Sequence, residues 1–157
     1  MDGQRPDLSA FTTYRLHLLN RLFDTAIAAD YRAQTGLDLG EARAVAALGH
    51  FGAMRIMDVG RRANLEKSKA SRAVESLLKK GLLSSARDPA DARAIQVALS
   101  AAGERCYPRV LSIATMHRDR LLNPLDAGER RVFDALLERL LFHASALSSE
   151  RAERSDD

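Results

Sequence analysis

The chain has 157 residues and a mass of 17.3 kDa, enough for one ordinary domain or one protomer of a small oligomer. Hydrophobic residues make up 46% and charged residues 29%, which excludes a chain disordered throughout. No apolar run approaches the ~20 residues that span a bilayer, no apolar segment follows Met1-Asp2-Gly3-Gln4-Arg5 as a secretory signal requires, and a single cysteine, Cys106, excludes an internal disulfide framework or a cysteine-rich zinc site. A soluble, cytoplasmic chain is the expectation.

The net charge of +3 is unevenly spread. Residues 53–93 hold ten cations (Arg55, Arg61, Arg62, Lys67, Lys69, Arg72, Lys79, Lys80, Arg87, Arg93) and five anions (Asp58, Glu66, Glu75, Asp88, Asp91), a balance of +5. The remaining 14 cations and 16 anions sum to −2. A positive excess confined to one stretch is the footprint expected of a phosphate-binding surface, and a merely solvated basic face is the alternative.

Apolar residues recur mostly at helical spacing. A first helix is predicted over residues 8–31, with a broad stripe of Leu8, Phe11, Leu18, Leu19, Leu22, Phe23 and Ala26 and a stop at Gly36. A second is predicted over 40–51, where Asp38 and Glu41 form a capping-box pattern. Two short helices follow over 56–63 and 67–80, joined by Asn64-Leu65-Glu66. In the latter, Ala70, Ala73, Val74, Leu77 and Leu78 make the packed side, while Ser68, Arg72, Glu75, Ser76 and Lys79 fall opposite.

After Gly81 the period changes. Residues 82–86 and 94–99 read as two short strands, and the charged, turn-forming Arg87-Asp88-Pro89-Ala90-Asp91-Ala92-Arg93 makes them a β-hairpin. A long helix over 101–122 contains Pro108 and is expected to kink there. Asp126 and Glu129 repeat the capping-box pattern and open a last helix to about residue 147. Its seam is Val132, Phe133, Leu136, Leu137, Leu140, Leu141 and Ala144, and residues 148–157 are expected to be a flexible tail.

A short helix, a tight turn, an amphipathic helix and a hairpin, in that order, describe a winged helix-turn-helix, so the fold class is mainly α with a small β wing. A helix with one packed and one polar, cationic side fits a DNA major groove. Lys67, Ser68 and Lys69 at its N-terminal turn are placed for phosphate, Arg72 for a guanine edge, and Arg87 and Arg93 for backbone or minor groove.

The run Leu65-Glu66-Lys67-Ser68-Lys69-Ala70-Ser71-Arg72, followed by Leu77 and Lys80-Gly81-Leu82-Leu83, resembles the recognition region of MarR-type transcriptional regulators. Residues Arg87 to Arg93 are similar to that family's wing, with its Asp-x-Arg signature at Asp91 and Arg93, and Leu99-Ser100-Ala101-Ala102-Gly103 resembles its wing-to-helix junction. The resemblance spans about residues 8–146. It implies that Asp91 orients Arg93, and that Ser68, Lys69, Ser71 and Arg72 face double-stranded DNA. It further implies a homodimer built by helical regions 8–35 and 101–147 around a DNA-binding region 38–99, on a pseudo-palindromic operator in a bacterial or archaeal nucleoid. Arg55, where the family often has a Ser or Thr cap, Gly60, and Ser84-Ser85 depart from the pattern.

An intramolecular helical bundle is the alternative to the dimer. Family members often bind small aromatic or phenolic anions between the dimer helices and the DNA unit, for which Tyr14, Arg15, His17, Arg43 and His50 are the candidates here. His17, His50, His117 and His143 are dispersed, so no metal site, no cofactor and no catalytic constellation is expected. Two other readings compete with a ligand-responsive repressor: a winged-helix protein-interaction module without DNA binding, and a regulator switched by oxidation of Cys106. The thiol has no neighbouring histidine in sequence, which favours the ligand.

Overall fold

The structure, a computed structural model, describes the backbone of residues 7–88 and 91–153 and their side chains except those of residues 92, 93 and 149–153. The chain divides into two compact units, the first ending at His117 and the second beginning at Arg118.

The first unit opens with a 3-10 turn (Leu8–Ala10), held by Asp7, whose carboxylate accepts from the Ser9 N–H at 3.0 Å. That turn is why the first helix, α1, starts late and runs Thr12–Thr35 rather than from residue 8. It stops at Gly36, where φ is +69° and a side chain would be strained. Next comes α2 (Leu39–Phe51), closed by the predicted reciprocal cap: Glu41 N–H to Asp38 Oδ1 and Asp38 N–H to Glu41 Oε2, both 2.8 Å. Then follow β1 (Met54–Arg55), α3 (Ile56–Arg62), α4 (Lys67–Lys79), β2 (Leu83–Asp88), β3 (Asp91–Leu99) and α5 (Ala101–Leu122).

The sheet has three antiparallel strands in the order β1-β3-β2. The hairpin was expected and the edge strand β1 was not. With two residues, paired Met54 to Val97 and Arg55 to Gln96, it is too short to leave a periodic signal. The β2–β3 register runs from Leu83 opposite Leu99 to Arg87 opposite Ile95, then slips before Asp88. The core of this unit lies between the helices and the sheet. Leu37, Val45, Val59, Val74, Leu77, Val97 and Val110 are its fully buried large side chains.

Two backbone details fix the approach to the hairpin. The end of α4 turns through Gly81, with Leu82 N–H donating to Leu77 O and Gly81 N–H to Leu78 O, a Schellman closure that needs the positive φ of +70°. The Leu99-Ser100-Ala101-Ala102-Gly103 junction then packs back on this turn. Ser100 Oγ donates to Gly81 O at 2.6 Å and accepts from the Gly103 N–H at 3.1 Å. A Cβ at position 103 would stand 2.2 Å from Leu82 O, so the close approach of helix to turn requires glycine there.

Helix α5 continues unbroken through Pro108. The second unit contains the end of α5 and α6 (Ala127–Glu153), with the predicted cap at Asp126 and Glu129 formed in both directions at 2.9 Å. The last helix, expected to end near residue 147, extends further. Ser148 Oγ folds back to Ala144 O at 3.0 Å, no glycine or proline follows Gly128 to break the helix, and it runs on to Glu153. Residues 154–157 lie outside the described residues.

Candidate nucleic-acid interface

Helix α4 is set by its small apolar residues, which let it lie close to its neighbours. Ala70, Ala73, Val74 and Leu77 are buried, whereas Lys67, Ser68, Lys69, Ser71 and Arg72 are all exposed. Its N-cap, Glu66, makes no side-chain cap bond, so the first-turn N–H groups are not taken up by a side chain of the cap. The preceding turn uses Asn64 at φ +52°, a left-handed conformation that asparagine tolerates, and Leu65 N–H closes it onto Gly60 O at 2.8 Å.

Ion pairing sorts the basic stretch into two classes. Arg61 pairs with Asp58, Lys79 with Glu75 at 2.7 Å, Lys80 with buried Glu41 at 2.7 Å, and Arg55 with Asp88 at 2.8 Å. Arg62 instead lies over the Phe51 ring, 4.5 Å from its centroid. Among the described residues, Lys67, Lys69, Arg72 and Arg87 have no acidic partner within ion-pair distance, and Arg72 Nε donates to Ser68 O at 3.3 Å. The uncompensated charge is thus concentrated on α4 and the hairpin.

Ser76 does not belong to the open side of α4. It is half-buried, and its Oγ donates to Glu41 Oε1 at 2.6 Å. Burial pushes the Glu41 carboxyl up, but hydrogen bonds from Lys80, Ser76 and the Asp38 N–H, with the Lys80 charge, outweigh it and hold the group below the usual glutamate range. Glu41 therefore ties α2 to α4 and was legible only as a cap, because its partners lie 35 and 39 residues away.

On the hairpin, Arg87 is exposed, and the Asp91 carboxylate lies 3.5 Å from Arg55 Nη2. The backbone of Arg93 is in β3, but its side chain lies outside the described residues, as do Pro89 and Ala90. The Asp91–Arg93 arrangement implied by the resemblance falls there too.

The candidate effector residues separate. Arg43 and His50 line one cleft of about 460 Å³ with Ala46, Ala47, Phe51, Arg62 and Tyr107. Arg43 also pairs with Asp24 at 2.6 Å beside a wider cleft of about 880 Å³ against α4. Tyr14, Arg15 and His17 are exposed on α1 and line neither, and Arg15 Nε donates to Ser9 O at 2.8 Å. Phe51, Arg62 and Tyr107 were missed in the sequence because they sit on three different helices. Cys106 is half-buried, and burial pushes its thiol up. Among the described residues no cluster of three metal-ligating side chains occurs.

Residues 35–94 match the MarR family model. The winged helix-turn-helix of this chain is similar to that of MarR-family regulators. A probable transcriptional regulator from Pseudomonas aeruginosa is 28% identical, with a TM-score of 0.72 over 85% of this chain and 99% of that one. A MarR family regulator from Silicibacter pomeroyi is 27% identical, with a TM-score of 0.73 over 86% and 90%. Bordetella bronchiseptica BpsR, whose DNA binding is regulated by 6-hydroxynicotinic acid, is 22% identical at a TM-score of 0.76 over 85% and 95%, a likeness of fold. No curated protein matches the sequence. The MarR-family fold gives α4 the position of the second helix of the helix-turn-helix and β2–β3 that of the wing.

Proposed function

We propose that this chain is a MarR-type transcriptional regulator that binds a pseudo-palindromic duplex as a homodimer and releases it on binding a small aromatic anion. One observation carries the DNA reading. Among the described residues, Lys67, Lys69 and Arg72 of α4 and Arg87 of the hairpin are exposed without acidic partners, while Lys79 at the end of α4 and neighbouring Arg55, Arg61 and Lys80 are neutralised within the protein. Arg72 reads a base edge in the major groove, Lys67, Ser68, Lys69 and Ser71 hold the backbone, and Arg87 with Arg93 contacts phosphate or minor groove.

The dimer reading rests on α6. Val132, Leu136, Leu140 and Leu141 are each at least half exposed, more apolar surface along one helix than a monomer leaves to water. Two-fold pairing through such helices spaces two copies of α4 about one turn of DNA apart. Repression then follows from occupancy of a promoter. For the effector, the cleft lined by Arg43, His50, Arg62, Phe51 and Tyr107 combines cationic groups with aromatic walls, at a volume suited to a small ligand. The 6-hydroxynicotinic acid of BpsR, an aromatic carboxylate, is a ligand of that chemistry. A Cys106 switch is disfavoured because burial keeps the thiol protonated.

The test is enrichment of duplexes from a randomised pool by the wild-type chain. Enrichment of an inverted repeat with half-sites one helical turn apart, bound in a salt-sensitive manner, supports the reading. Recovery of no preferred duplex, with capture of a protein instead, supports an interaction module.

A further inference from the structure

Arg55 is the N-cap of α3 yet makes no cap bond to its own helix. Its guanidinium reaches across to the hairpin instead, Nε to Asp88 Oδ2 at 2.8 Å and Nη2 to Asp91 Oδ2 at 3.5 Å. These two acids flank the wing tip, one ending β2 and the other starting β3. Asp88 is buried, so its charge is costly unless paired.

The strand register shows what the contact does. β1 pairs with β3 at Val97 and Gln96, so among the described residues the hairpin from Ile95 outward has no third strand, and its pairing slips between Arg87 and Asp88. Two strands alone are marginal in water. The Arg55 side chain starts from the last three-stranded rung and bridges to the unsupported part.

We propose that Arg55 is a positioning residue for the wing: by clasping Asp88 and Asp91 it holds Arg87 at a fixed setting relative to α4. It supports DNA binding with a charge spent inside the protein, not on phosphate. This rests on the DNA-binding reading and adds to it a residue on the helix-turn-helix side that governs the wing.

The experiment has two arms. In the first, a nitroxide is placed at Arg87→Cys in a Cys106→Ser background, and its mobility is read without DNA. Arg55→Ala and Asp88→Asn should each mobilise the label, the pair together should do no more than either, and Arg55→Lys should restore part of the order. An unchanged label in Arg55→Ala overturns the proposal, whether or not the chain binds DNA.

The second arm measures binding to the duplex that the wild-type chain enriches from a randomised pool. Arg55→Ala and Asp88→Asn should both weaken binding by about tenfold, non-additively and with the salt dependence unchanged. If Arg55 touched phosphate directly, Arg55→Ala would lower the salt slope by about one, and Asp88→Asn would leave binding unchanged or tighter. That outcome overturns the clasp and leaves the DNA-binding reading standing. Failure of the wild type to enrich any duplex removes the reading itself, and a clasp still detected by the label would then serve hairpin order alone, overturning its role in binding.

Discussion

Lys80 Nζ lies 2.7 Å from the Glu41 carboxylate, joining the C-terminal end of α4 to the first turn of α2. Because Ser76 Oγ donates to the same carboxylate at 2.6 Å, one buried acid ties the helix that presents Arg72 to the helix beneath it at two points.

Glu41→Gln should therefore destabilise the fold by about 2 kcal/mol, the scale of a charge-assisted hydrogen bond lost to a buried group. The effect should depend on pH. A carboxyl held below its unfolded value contributes stability that is full above that value and is lost as pH falls through the folded one. The Tm advantage of wild type over Glu41→Gln is then complete at neutral pH and shrinks on acidification below about pH 4.3. A gap in Tm that grows with acid would contradict this account of Glu41.

Gly103→Ala tests the wing-to-helix junction. Alanine ordinarily favours a helix by about 1 kcal/mol over glycine, yet here its Cβ meets backbone, 2.2 Å from Leu82 O. Overpacking against a fixed carbonyl should win, at about 2–3 kcal/mol of destabilisation and a Tm lower by roughly 5 °C or more. Calorimetry showing a higher Tm would mean that α5 sits further from the turn.

The junction also shows how far local sequence reaches. The caps at Asp38 and Asp126, the stop at Gly36 and the turn at Gly81 are local, set by residues within a few positions, and the amphipathic stripe of α4 is equally so. The exposed set Lys67, Ser68, Lys69, Ser71 and Arg72 followed from that stripe. What was hidden is long-range. Arg55 reaches Asp88 across 33 residues, Ser76 reaches Glu41 across 35, and His117 bonds Asp30 at 2.6 Å across 87. No periodicity encodes such partners, so Ser76 reads as a surface residue and Arg55 as one more free cation.

On the proposed assembly, Leu137→Arg or Leu140→Asp should separate the two copies and abolish duplex binding while leaving α4 folded. An unpaired charge in an apolar interface costs several kcal/mol, comparable with the stability of a small assembly. Sedimentation should shift from dimer to monomer in either variant. A wild-type chain that sediments as a monomer at micromolar concentration would contradict the assembly.

Aromatic carboxylates should raise the Tm of the wild-type chain, and Arg43→Ala should lose most of that shift. A tenfold loss of duplex affinity on ligand binding corresponds to ~1.4 kcal/mol of coupling. Cys106→Ser should respond to the ligand as wild type does, since burial holds the thiol protonated. Release of DNA by mild peroxide from wild type but not from Cys106→Ser, with no carboxylate active, would make the protein a redox switch instead.

DNA reading by the uncompensated cations of α4 is tested most directly by fluorescence anisotropy on the enriched duplex across a range of salt, with wild type and Arg72→Ala. The wild type should bind with an affinity that falls steeply with salt. Arg72→Ala should lose about 1–3 kcal/mol and discriminate less between half-site variants at one base pair. Binding that ignores salt, or an Arg72→Ala variant with unchanged affinity and unchanged base preference, would contradict the account.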